Sequence, residues 1–273
     1  MLVIKNNLMA ENAARHLGNS YDLLAKSIER LSSGLRINSA KDDAAGLAVR
    51  ELMRADVAVI KQGSRNAMDA ISMLQTMEGA MGTIDQCLIR MKELAEQAST
   101  GSYSEQQRTI MNNEFEQMIA EIDRIADTTA FNSIHMLNSA TGTNTIHFGV
   151  DSSIDVTSVD VRTTALGVDS GTASISGATG TNAQAALDLV TTAIERKDSA
   201  RASLGYMMNR LESTTEVLNI QAENMMAAES RISDVDVASE MAALTRNQVL
   251  AQAGVAMLAQ ANSMPQMALT LLR

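Results

Sequence analysis

NQVLAQAGVAMLAQANSMPQMALTLL, residues 247–272, decides the reading of this chain, because not one of its side chains is charged. Ala, Leu, Met and Gln dominate it, and all four favour helix. Apolar or small residues recur at Met241, Leu244, Ala251, Val255 and Leu258, and Gln248 and Asn262 fill the same spacing. Alternation of three and four is the mark of a coiled-coil seam. A helix with no charged face needs cover on several sides. Gln, Asn and Ser interrupt the apolar run every few residues, which argues against a membrane span. The stretch therefore calls for more neighbours than one chain supplies.

The rest of the composition agrees with slim helices. Of 273 residues, 2% are aromatic, none is Trp, 19 are Met and one is Pro. A compact globular core of this size normally draws on aromatics, and Pro breaks helices. The net charge of −10 makes nucleic acid and anionic membranes poor partners. The single cysteine, Cys87, excludes an internal disulfide and a cysteine metal cluster. The start, MLVIKNNLMAENAARHL, lacks a basic region followed by a continuous apolar core. The expectation is a protein that stays in the cytoplasm or leaves by a route needing no such signal.

Working back from the tail, the first helix is expected over residues 1 to about 33. Its seam runs Ala10, Ala14, Leu17, Tyr21, Leu24, Ile28, Leu31, Leu35. Gly34 is a natural stop, and Asn38-Ser39 with Asp42-Asp43 reads as a turn and an acidic helix start. A very long helix over about 44–98 follows, with Met53, Val57, Ile60, Ala67, Ile71, Leu74, Met81, Leu88 and Ala95 on its seam. Ser104 with Gln107 makes a capping box for the next helix, and Thr181 with Gln184 makes another. Between them, Thr143–Val150 and Ser153–Arg162 alternate as a β-hairpin, with a Gly/Ser-rich loop onward to residue 182. Helix resumes to about residue 232. The layout is mirror-like, so the simplest fold pairs the two outer helices and sets the inner ones side by side. The fold class expected is mainly α: long antiparallel helices in a rod-like coiled-coil bundle with a small central β-hairpin.

RLSSGLRINSAKDDAAGLAV, residues 30–49, and SRISDVDVASEMAALTRNQVLAQAGVAMLAQANSMPQMALTLLR, residues 230–273, together resemble the N- and C-terminal signatures of bacterial flagellins. The resemblance covers about residues 1–139 and 182–273. It implies a filament subunit with an inner-tube segment from both termini, about 1–44 plus 231–273. An outer-tube segment spans about 45–230. With only about 40 residues between the flanking helices, the outer variable domains of larger members should be missing.

Function follows as expectation. The resemblance implies a homo-polymer, type III flagellar export to the outside of the cell, and an export chaperone on the C-terminal helix. It also implies filament cap and junction proteins as partners. The polymerisation seam would be Leu17, Tyr21, Leu24, Ile28, Leu31, Leu35, Leu244, Val255 and Leu258. CLIRMKELAEQ, residues 87–97, resembles the patch that the vertebrate flagellin-sensing Toll-like receptor recognises, with Arg90, Leu94 and Glu114 as the receptor-binding residues. An Arg offers a forked contact and a Leu can fill a pocket. Lys92 and Glu96 depart from the commonest form of that patch. No catalytic residue, metal ligand or cofactor is expected: His16, His135 and His147 are scattered and no HExxH pair occurs. The glycines near 167–180 lack the Lys and setting of a phosphate loop. Two other readings share the layout: a junction protein between hook and filament, and a non-flagellar coiled-coil scaffold.

Overall fold

The computed structural model describes residues 6–149 and 152–271, with residues 265, 266 and 268–271 as backbone only. Of the sequence expectations, helix over residues 1–5, strand at Val150 and a turn at Asp151 lie outside the described residues, as do Leu272 and Arg273. The described residues form six helices and four short strands: α1 Leu8–Ser33, α2 Ala44–Ser99, α3 Glu105–Thr128, β1 Ala130–Phe131, β2 Ile134–His135, β3 Thr143–His147, β4 Ser153–Thr157, α4 Thr163–Leu166, α5 Thr181–Ser233 and α6 Val237–Leu271. They fall into two compact units, residues 1–57 with 223–273 and residues 58–222. The divisions lie inside α2 and α5. Charge is divided unequally: the first unit has 11 Lys/Arg against 12 Asp/Glu, the second 11 against 20.

In the first unit, chain stops are built from the residues that the sequence singles out. Gly34 ends α1 with φ +73°, the left-handed region, and its N–H donates to the Arg30 carbonyl. Asp43 Oδ1 accepts from the Gly46 N–H at 2.9 Å and so starts α2. A Cβ on Gly46 would sit 2.5 Å from Asp43 Oδ2 and 2.8 Å from Ile37 Cδ1, so a larger residue there would displace the capping carboxylate and the Ile37 side chain. Asp236 Oδ1 accepts from the Ala238 N–H at 3.0 Å and starts α6. The two breaks pair as a short antiparallel bridge, Leu35 with Asp234, in which the Val235 N–H donates to the Gly34 carbonyl at 3.0 Å.

In the second unit α2 and α5 run antiparallel. Ser64 bonds Asn219, Glu78 bonds Arg201, and Asp85 bonds Lys197. Their core is aliphatic and Met-rich, with Leu74, Met81, Ile84, Leu88, Leu204 and Leu211 fully buried. Lys197 occupies a seam position of α5 at 2% exposure, held by Asp85 and by Asp198 at 2.7 Å. A buried charge on a seam fixes helix register. The capping box at Ser104 and Gln107 forms in both directions.

Three expectations need correction here. The Thr181–Gln184 box does not form. Helix α5 begins at Thr181 itself, and the Gln184 N–H donates to the Gly180 carbonyl. A Cβ at Gly180 would lie 2.3 Å from the Ser99 carbonyl oxygen, so this close approach sets the start of α5. The central hairpin is shorter than Thr143–Arg162. Its strands stop at His147 and Thr157, and the chain then runs past β2, where Val159 and Val161 donate to the carbonyls of Met136 and Leu137. The stretch after it is no open loop. It contains α4, and Leu166, Val168, Ala173 and Ile175 are buried. Helix α3 clamps it: Arg108, 3% exposed, donates to the carbonyls of Ala98, Thr100, Gly177 and Ala178. Asn112 Oδ1 accepts from the Ile175 N–H at 3.0 Å and from Ser174 Oγ.

Candidate assembly surface

Helices α1 and α6 form an antiparallel pair. Asn7 Nδ2 donates to the Ala261 carbonyl at 2.8 Å, and Arg30 reaches Glu240 at 3.5 Å. Covered positions on α1 are Ala10, Ala13, Leu17, Ser20, Leu24, Ser27 and Leu31; on α6 they are Leu244, Asn247, Ala251, Gly254, Leu258 and Ala261. Both rows keep the three-and-four alternation. Gly254 lies so close to α1 that a Cβ there would stand 3.1 Å from Leu17 Cδ1.

This row differs from the expected polymerisation seam. Leu17, Leu24, Leu31, Leu244 and Leu258 lie on the intramolecular seam. Tyr21, Ile28 and Val255 do not: they stand beside it, each about half exposed at 51%, 51% and 49%. Leu35 lies past the end of α1, in the bridge to Asp234. Small residues explain the rotation. Ala13, Ser20, Ser27, Ala251 and Gly254 let the backbones approach, and this close packing displaces the larger neighbours to the flank. The flank is a groove of about 670 Å³ walled by Tyr21, Leu24, Ile28, Leu244, Ala251 and Val255, with Gln248 and Gln252 at its edge. On the side of α6 turned from α1, Val249, Leu250 and Met257 are 59%, 51% and 63% exposed. From Asn247 onward α6 carries no charge, and among the described residues it packs on α1 and leaves apolar side chains exposed on two other sides.

Electrostatics at the joint of this unit is specific. Lys26 Nζ stands 2.7 Å from Asp42 Oδ1. Its hydrogen bond, with those from the Ser39 N–H and hydroxyl, holds the Asp42 carboxyl at about 2. Arg36 clamps the end of α5 through two bonds to the Ile232 carbonyl.

Of the three residues expected to meet a receptor, two come together. Arg90 Nε donates to Glu114 Oε1 at 2.9 Å across α2 and α3, while Nη1 bonds Glu93. These carboxylates push the Arg90 pKa above its already high value. Leu94 is a correction: it is 2% exposed, inside the core of the second unit, and cannot fill an external pocket in this fold. Cys87 is half-buried, and burial, followed by the charge of Glu121, raises its thiol pKa. Among the described residues no group of three or more His, Cys, Asp or Glu is placed to hold a metal ion, and no helix is long and apolar enough to cross a membrane.

Comparison with known proteins places this architecture. Residues 4–142 match the bacterial flagellin N-terminal helical region and residues 187–272 the bacterial flagellin C-terminal helical region. A flagellin of Halalkalibacterium halodurans is 45% identical, and the 33 kDa flagellar filament core protein of Treponema phagedenis is 42% identical, each over the full length of both chains. A flagellin of Bacillus subtilis is 37% identical over 99% of each. The crystal structure of Bacillus cereus flagellin superposes with a TM-score of 0.50 at 29% identity, over 60% of this chain and 94% of that one. With both helical regions matched in order and full-length identity to several members, the chain belongs to the bacterial flagellin family.

Proposed function

We infer that this chain is a structural subunit that polymerises head to tail into the bacterial flagellar filament, outside the cell, for swimming. One observation carries the reading: α6 has no charged residue from Asn247 onward, yet among the described residues it packs chiefly on α1 and leaves apolar side chains exposed on two other sides. The near-neutral first unit supports it, since like charges crowded between copies would oppose packing. In this reading the first unit forms the inner tube and the second the outer tube. Each Å² of apolar surface covered by neighbouring copies contributes roughly 25 cal/mol. A contact between unlike faces related by a rotation that does not close generates an open helical polymer. The terminal helices gain their full cover only on addition to the filament tip. Before export the C-terminal helix is held by a chaperone, and a distal cap guides folding on arrival. Deletion of residues 240–273 tests the reading by electron microscopy: filaments are expected to be absent, and normal filaments would overturn it.

A second reading concerns recognition. Arg90 and Glu114, adjacent and half exposed, support a polar contact patch for a vertebrate Toll-like receptor, centred on these two side chains and Glu93 rather than on Leu94. Arg90→Ala lowers signalling in a receptor reporter assay if the patch binds. An unchanged response refutes it.

A further inference from the structure

We propose that the groove beside the α1–α6 seam receives the outward row of α6, Leu250, Ala253 and Met257, from a second copy of this chain. The proposal rests on the filament reading and names which face meets which.

Four observations carry it. First, the groove is apolar with glutamine amides at its edge, and no charged side chain lines it. Second, the outward row is a ridge of matching character. Leu250 and Met257 are half or more exposed, and Ala253 between them is exposed and small. Spacing of three and four places these residues on one line of the helix. Third, groove and ridge lie on different sides of the same helix, so one copy cannot bring its own ridge to its own groove. Two copies can do so only through unlike faces, and such a contact leaves each copy with one groove or one ridge still open.

Fourth, the charges at the margins have opposite sign. Arg246 heads the ridge, one turn before Leu250. Asp22 and Glu29, both exposed, follow Tyr21 and Ile28 by one position and so stand about 100° further round α1, beyond the groove wall. None of the three makes an ion pair among the described residues. Seating the ridge in the groove brings Arg246 of one copy toward the side of α1 that carries Asp22 and Glu29 in another. Opposite charges at a rim fix register and orientation more than they add affinity.

The test uses the full-length chain with Cys87→Ser as parent. Gln252→Cys in one preparation marks the groove edge, and Ala253→Cys in another marks the ridge. The two are polymerised together and treated with a short bis-maleimide. Cross-linked dimers are expected in the mixed filaments, at least several-fold above filaments of either variant alone and above the unpolymerised mixture. Mixed filaments that form but give no more dimer than the single-variant filaments overturn the proposal and leave the filament reading intact. Failure of the parent to polymerise under conditions in which its relatives do so counts against the filament reading itself. Should a cysteine stop assembly, charge exchange reads the same contact. Arg246→Glu is expected to slow filament elongation, and adding Asp22→Lys with Glu29→Lys to restore it. Elongation that is slowed and not restored overturns the pairing.

Discussion

Arg108 is the residue on which the second unit's capped end depends. Its guanidinium is buried and donates to four carbonyls, one in the last turn of α2, one in the turn that follows it and two in the segment before α5. Arg108→Met keeps the length of the stem but leaves those carbonyls short of donors. A loss of about 3 kcal/mol is expected from urea unfolding of the full chain, with earlier proteolytic cutting near residues 168–180. Asp42 acts through charge instead. Its folded-state carboxyl titrates at about 2, below the ordinary 3.8. The folded chain therefore binds fewer protons than the unfolded one between those values. The contribution of Asp42 is complete above pH 3.8 and is lost as the pH falls toward 2. Thermal unfolding of Asp42→Asn should differ from the parent at neutral pH and converge with it near pH 2.

At the scale of elements, the α1–α6 pair is held by closeness rather than bulk. Gly254→Leu inserts a side chain where even a Cβ would stand 3.1 Å from Leu17. Backbone separation and a loss of about 1–3 kcal/mol are expected, read by hydrogen exchange of α1 and α6. The long helices are legible in the sequence because period and stops agree: the pattern predicts a helix over about 44–98, and α2 runs Ala44–Ser99. The face was harder to read. Tyr21, Ile28 and Val255 satisfy the heptad as well as Ser20, Ser27 and Gly254 do, and hydrophobicity favours the larger set. Only the close approach that small residues permit decides which set turns inward. Polar core members are hard to read for a different reason: Arg108, Asn112 and Lys197 interrupt the apolar pattern yet are buried, Arg108 satisfied by four carbonyls, Asn112 by the Ile175 N–H, the Ser174 hydroxyl and Glu116, and Lys197 by Asp85 and Asp198. The β1–β2 hairpin escaped notice because two-residue strands carry too little alternation, although Asn132 and Ser133 at positive φ form its turn. The motif resemblance points to Leu94 as a receptor contact but carries no information on burial, and Leu94 is buried.

For the whole molecule, the two units divide the labour that one sequence must perform. The second unit buries its own core and carries nearly all of the net charge, while the first is close to neutral and keeps large apolar side chains outside its seam. That pair, with leucines and small residues on its seam and Tyr21, Ile28, Leu250, Val255 and Met257 outside it, has a calorimetric consequence. Much of the hydration of these side chains is removed when copies join, not when one chain folds, so the heat-capacity drop belongs largely to polymerisation. Isothermal titration at several temperatures should show an enthalpy of growth that becomes more negative on warming. Because apolar burial weakens in the cold, the polymer should shed subunits more readily near freezing than at the temperature at which the cell swims.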